Sequence, residues 1–456
     1  MTKKKFAIIA VLFLIVLVYF VLIILGTQVR DFNLLVYVSF VINIVVSLQQ
    51  LFVTIKKHPY STEMIMWLFN LVFFGLAPLI QYATAWRAWG LVASDNDFLS
   101  CNALIFLWYI CFVIGKNSKV RFVINKNKIE DDRYRFEVNH TGVKVALCLS
   151  MAFALFLIAF DGFERLIFRG ASNSSSFDSS ALSMLTYHVF RNFILYTCLI
   201  LVINFRRTGK NRIMMYTSLM CFLIACFPTG ISRYMIAAFY MGLIIHIKKK
   251  ENCKSFFFLL IFGGLVVIFP ILNIIRGMKS FYSIEELLVV VPKQFSNTYL
   301  SENFDAYQMI ISCMHYISAN GLSYGAQLIG ALLFFVPRSM WPNKPIGSGA
   351  QVIKSLNQYE FTNVSMPLMG ESFINFGIFG IIIIGVILGI VVKDLDKKYW
   401  GDDRYFSFRN VTYPVLAFYF FFMQRGDLMS SGAYLIANCV VGYIVWRMTI
   451  DKRLSE

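Results

Sequence analysis

Phe373-Ile-Asn-Phe-Gly-Ile-Phe-Gly-Ile-Ile-Ile-Ile-Gly-Val-Ile-Leu-Gly-Ile-Val-Val392 is a run of twenty residues without a formal charge. That is the length a helix needs to cross the hydrocarbon core of a bilayer. Comparable apolar blocks recur near 6–26, 33–53, 64–84, 99–115, 143–160, 183–204, 213–228, 231–247, 255–275, 409–424 and 430–447. With 373–392 they predict an all-α, polytopic integral membrane protein of about twelve transmembrane helices. The hydrophobic residues are gathered into these blocks instead of being spread at the periodicity of a soluble core. Across 456 residues, 58% are hydrophobic and only 15% charged, so water is not the solvent of most of this chain. Backbone groups in lipid must bond within their own segment, which selects helices, and a transmembrane β-barrel would need short alternating strands.

The first block follows Lys3, Lys4 and Lys5 in the manner of a signal peptide, but its length and the lack of a small-residue cleavage site predict an anchor. Nine cysteines lie mostly inside predicted spans, with only Cys313 in a long loop, so they predict apolar packing and no disulfide framework.

Placing the N-terminus in the cytoplasm makes every predicted inner segment basic. Those segments hold 29 of the 42 lysines and arginines; Arg191 lies within a span, and 12 remain for the outside. Both termini are therefore expected in the cytoplasm of a cytoplasmic (inner) membrane protein. The net charge of +17 is a topology signal and a contact with anionic headgroups, not a nucleic-acid footprint. The chain divides into nine spans over 1–275, a long outer loop at 276–372, and three spans over 373–456. Within the loop, Leu322 to Val336 is apolar but about fifteen residues long, which suits a re-entrant or interfacial helix.

No P-loop, HExxH, GxSxG, CxxC pair or dinucleotide fingerprint is present. The chemical signal is charge at membrane depth. Arg233 follows Phe227-Pro-Thr-Gly-Ile-Ser, where Pro228 and Gly230 break a helix just before the cation. Arg338 and Lys344 sit among Pro337, Pro342 and Pro345, whose rigidity could hold both cations toward one anion, with Trp341 at the interface or stacked on a sugar. A Gly-Ser-Gly turn follows at 347–349. Glu371 opens the tenth predicted span as a helix-dipole partner or a general base, and Asp427, two residues after Arg425, has the same two readings. His315 is the single histidine of the loop and a further base candidate.

Together the Phe-Pro-Thr-Gly-x-x-Arg turn ending at Arg233, the Arg-x-x-Trp-Pro-x-Lys-Pro element from Arg338, the Gly-Glu-x-x-Ile-Asn-Phe-Gly entry at 370–377 and Arg425-Gly-Asp427 resemble the Wzy-type O-antigen and oligosaccharide repeat-unit polymerases of bacterial membranes. The resemblance implies a glycosyltransferase-C-like membrane fold. It also implies a metal-independent, cofactor-free glycosyltransferase acting on undecaprenyl-diphosphate-linked oligosaccharides outside the cytoplasmic membrane. On that reading Arg233, Arg338, Arg425, Arg276 and Lys344 hold the diphosphate, Trp341 and Asn375 face sugar, and Glu371, then Asp427 and His315, are base candidates. Partners implied are membrane lipid, a chain-length regulator and a flippase. The alternatives are a lipid-linked oligosaccharide flippase or other transporter, and the related O-antigen ligase. Transporters usually show matched halves with broken helices, which one unmatched late loop does not suggest.

Overall fold

The computed structural model describes residues 31–120, 134–167, 181–247, 257, 271, 274, 285–286, 297–356, 361, 363–402 and 404–454. The predicted spans at 6–26 and, for nearly all its length, 255–275 lie outside these residues, as does Arg276. Seven of the described helices are long and apolar enough to cross a membrane. They are α1 (Leu34–Lys57), α2 (Thr62–Ala83), α3 (Asp95–Asn117), α4 (His140–Asp161), α6 (Ala181–Thr208), α12 (Leu368–Trp400) and α14 (Leu428–Thr449). A one-turn α5 (Phe163–Ile167) follows α4, and the shorter apolar α7 (Arg212–Ala225) and α8 (Arg233–Ile247) follow α6. α13 (Phe408–Arg425) has eighteen residues and carries Pro414 within it. The described part of the predicted loop holds a 3-10 turn at Glu302–Phe304 and the short helices α9 (Ala306–Asn320), α10 (Ala326–Leu332) and α11 (Ser348–Ser355), and ends in the start of α12. The stretch 322–336 thus folds as a seven-residue helix about 10 Å long, too short to cross.

Local chemistry sets the helix ends. Asn33 caps α1 through Leu35 N at 3.0 Å, and Lys56 and Lys57 occupy its last turn, where the helix dipole favours cations. Ser94 and Asp97 form a capping box on α3. α2 opens on Ser61, and the buried Asp396 of α12 accepts Thr62 N at 2.9 Å and Glu63 N at 3.1 Å, together with the Tyr413 hydroxyl. One carboxylate thereby ties three helices at the end of the bundle where Lys56, Lys116, Lys393 and Lys397 gather.

α3 and α12 run parallel in close contact. A Cβ on Gly115 would lie 2.0 Å from Val386 O, and one on Gly389 would lie 2.2 Å from Phe112 O. With Gly385 these residues form a small-xxx-small seam, which lets two backbones meet where lipid supplies no hydrophobic drive between helices.

Two strands, β1 (Tyr134–Val138) and β2 (Ile450–Leu454), pair antiparallel from Tyr134↔Leu454 to Val138↔Ile450. They put the chain's C-terminal segment and the start of α4 on the same lysine-rich end of the bundle. Asp402 lies there too. Burial works against its charge, but Arg404 Nε at 2.9 Å, Arg404 N at 3.0 Å and Ser407 Oγ at 2.9 Å outweigh it and hold the carboxyl below its usual range. A lowered folded-state value stabilises above the unfolded pKa of about 4 and is lost as pH falls through the folded value. Asp402→Asn is therefore expected to lower the melting temperature at neutral pH and to flatten its decline below about pH 4, read by thermal unfolding across pH.

Candidate active site

At the opposite end the N-termini of α11, α12 and α14 converge. Glu371, in the first turn of α12, is 1% exposed. Its Oε2 accepts Ser348 Oγ of α11 at 2.6 Å, and its Oε1 accepts Leu428 N of α14 at 2.8 Å. Asp427 caps α14, with Oδ1 accepting Met429 N at 2.9 Å and Oδ2 accepting Gly349 N of α11 at 3.1 Å. The two carboxylates therefore hang on adjacent residues, 348 and 349, of one helix start. Amides of helix first turns point positive partial charge at anions, which explains why acids tolerate burial here. Neither carboxylate pairs with a lysine or arginine among the described residues. Burial pushes the Asp427 carboxyl above its ordinary range. A carboxyl so displaced by its surroundings is a mark of functional sites.

Glycine makes the approach possible. A Cβ on Gly347 would lie 2.5 Å from Asp427 Oδ2. Gly347→Val is expected to push the carboxylate off Gly349 and cost about 1–3 kcal/mol, visible as a lower melting temperature. At Gly377 φ is +61° and ψ −143°, so α12 breaks there. The break frees Ile374 O, which Ser323 N takes up at 2.9 Å. Residues 368–376 are thus a separate entry turn bearing Glu371 and Asn375. The fully buried Asn375 donates Nδ2 to Glu371 O at 2.8 Å, and its Oδ1 has no hydrogen-bond partner among the described residues.

Arg425, closing α13, lies beside this centre. Its Nη2 reaches the buried Asp305 Oδ1 and Glu302 O, each at 3.4 Å, and its Nε is buried without a partner among the described residues. Asp305 Oδ2 also accepts Trp89 Nε1 at 2.8 Å and Ser365 N at 3.1 Å. Trp89 has φ +54°, a left-handed backbone that a bulky side chain adopts only where its surroundings enforce it. Arg233 opens α8 at the same end. Its neighbour Tyr234 stacks on Phe422 with ring centroids 3.9 Å apart, about one turn below Arg425.

The other candidates go elsewhere. Arg338 donates to Lys344 O and, at 3.0 Å, to Pro345 O; Lys344 Nζ donates to Phe334 O at 2.6 Å and Val336 O at 3.0 Å. Both cations bind their own loop instead of converging on one open point. His315 Nε2 lies 3.2 Å from Asp97 Oδ1, at the start of α3. Trp341 is half-buried in the proline-rich turn. The structure thus brings Glu371, Asp427 and Asn375 together, and sets Arg425 on Asp305 and Arg338, Lys344 and His315 on partners of their own.

Ser348, Asp305 and Trp89 are residues around the candidate site that the sequence reading passes over. The Gly347-Ser-Gly349 turn was the one visible signal, since a small-residue turn allows close approach, but nothing in the sequence says which acids approach it. Comparison with models of known families, with curated proteins and with solved structures finds no match to this chain.

Proposed function

We propose that the chain is a membrane glycosyltransferase that polymerises undecaprenyl-diphosphate-linked oligosaccharide repeat units at the outer face of a bacterial cytoplasmic membrane. About twelve spans place both termini in the cytoplasm. The observation that carries this reading is the buried Glu371 and the half-buried Asp427 on one helix start, with Arg425 two residues before Asp427, at the lysine-poor end of a bundle of apolar helices.

The chemistry follows from those groups. Glu371 takes the proton of the acceptor sugar hydroxyl as its oxygen attacks the anomeric carbon of the donor chain. The bond from that carbon to the phosphate oxygen breaks, and its electron pair leaves on the lipid diphosphate. Arg425 and Arg233 stabilise the charge that develops there, a guanidinium fork matching phosphate oxygens. Ser348 and Leu428 N hold Glu371 in place, Asp427 fixes the same helix start through Gly349 N, and Asn375 Oδ1 supplies an acceptor for a sugar hydroxyl.

The test is the surface polysaccharide of cells lacking the gene, with and without the wild-type copy. Single-repeat products that return to a ladder on complementation support a polymerase. Lipid-linked units trapped on the cytoplasmic leaflet would replace it with a flippase, and intact free polymer that never reaches its final acceptor would replace it with a ligase.

A further inference from the structure

The segment from Leu322 to Pro345 exposes large apolar side chains: Tyr324 at 80%, Leu332 at 69%, Phe335 at 68% and Met340 at 78%, with Ile329 half-open one turn before Leu332. On α10 the polar Gln327 and the small Gly330 and Ala331 turn the other way. Gln327 is buried, and Gly330 packs against Pro345 and Met429, so α10 lies over the start of α14. The apolar face continues onto a membrane-spanning helix. Gly325 meets the ring of Phe376, and Leu322 meets Gly377, where α12 shows Phe376, Ile378 and Phe379 on its own exposed side.

The backbone beyond α10 is irregular, yet seven of its carbonyls, at 333, 334, 336, 337, 341, 344 and 345, are taken up from within the segment. Leu333 O takes Val336 N, and Pro337 O takes both Met340 N and Trp341 N. Trp341 O takes Lys344 N, and the two cations supply the other donors: Lys344 Nζ on Phe334 O and Val336 O, Arg338 on Lys344 O and Pro345 O. A turn facing water leaves such carbonyls to solvent. Burying a lysine to serve them is expected where water is absent, because an unpartnered carbonyl in hydrocarbon is costly.

We infer that residues 322–345 are seated in the bilayer leaflet on the site's side, with acyl chains covering Ile329, Leu332 and Phe335, and that Lys344 acts as a cap for the segment's carbonyls. A helix about 10 Å long cannot cross the core, so it lies within that leaflet, with the Arg338 to Asn343 tip at the headgroup level. The proposal stands apart from the sugar chemistry, since neither its argument nor its test involves transfer.

The test uses full-length protein, one copy per lipid nanodisc, carrying Leu332→Cys or Asn343→Cys. Alkylation by a charged, membrane-impermeant maleimide is followed by mass spectrometry of each peptide. Leu332→Cys is expected to react at least about tenfold more slowly than Asn343→Cys. Adding Lys344→Met is expected to raise the Leu332→Cys rate about tenfold as the segment detaches, whereas Lys344→Arg keeps it protected. Equal rates at 332 and 343 would overturn the seating, as would protection seen only in discs holding two copies. An unchanged Leu332→Cys rate in Lys344→Met would overturn the capping role.

Discussion

Glu371→Gln is expected to abolish the polysaccharide ladder while the protein stays in the membrane at wild-type level with an unchanged melting temperature. The substitution keeps the shape of the side chain. Gln Oε1 still accepts Leu428 N, and the Ser348 hydroxyl can turn to accept from the new amide, since a hydroxyl both donates and accepts. On the proposed function what is removed is the proton acceptor, and general-base catalysis contributes about 10²–10⁴-fold. Asp427→Asn is expected to behave differently. Both Asp427 oxygens accept backbone amides, Met429 N and Gly349 N, so one of those donors must then face an NH₂ group. The cost is about 1–3 kcal/mol of stability, with activity falling alongside it. Ladder gels normalised to membrane protein, together with thermal unfolding, separate the two variants. A full ladder from well-expressed Glu371→Gln would remove Glu371 from the chemistry.

The sequence carries the class of this fold because lipid leaves so little choice. A charge-free run such as 373–392 points to a helix in lipid, and all of it but the kink at Gly377 is helical within Leu368–Trp400. Flanking lysines likewise mark the ends, as at Lys56 and Lys57. The break inside that helix was not legible. Gly377 reads as one glycine among several in an apolar run, and only the observed φ and the capture of Ile374 O by Ser323 N show that it divides α12. The acids of the site were legible as residue types at helix entries, since Glu371 and Asp427 each precede a long apolar block. Their meeting was not, because it depends on α11, 23 residues upstream of Glu371 at the Ser348 contact, folding back to offer that hydroxyl and Gly349 N. For Arg338 and Lys344, rigid prolines correctly suggest fixed cations, but not that the fixed target is the loop's own backbone. Sequence patterns report a side chain's charge; they do not report which unpaired carbonyl lies within its reach.

Gly115→Ala tests the packing on which the site stands. One methyl group there would sit 2.0 Å from Val386 O and 2.9 Å from Val386 Cα, both backbone atoms that no rotamer change can move. α3 and α12 must separate along their seam, and the loss extends to every contact the close approach permits, including Lys393 Nζ on Ser118 O at 3.0 Å. Overpacking costs about 1–3 kcal/mol where side chains can adjust, so a clash with backbone is expected to reach about 3 kcal/mol or more. Gly389→Ala meets the same seam, at Phe112 O and Lys116 N, and separation forced by one substitution makes room for the other. The double variant is therefore expected to lose clearly less than the sum of the two single losses. Gly432→Ala is the control, because its nearest atom would lie at 3.9 Å, an ordinary contact. Thermal unfolding in nanodiscs reads all four proteins. If Gly115→Ala melted with wild type, the helices would not meet through glycine, and the placement of α12 that carries Glu371 to its donors would have to be sought in other contacts.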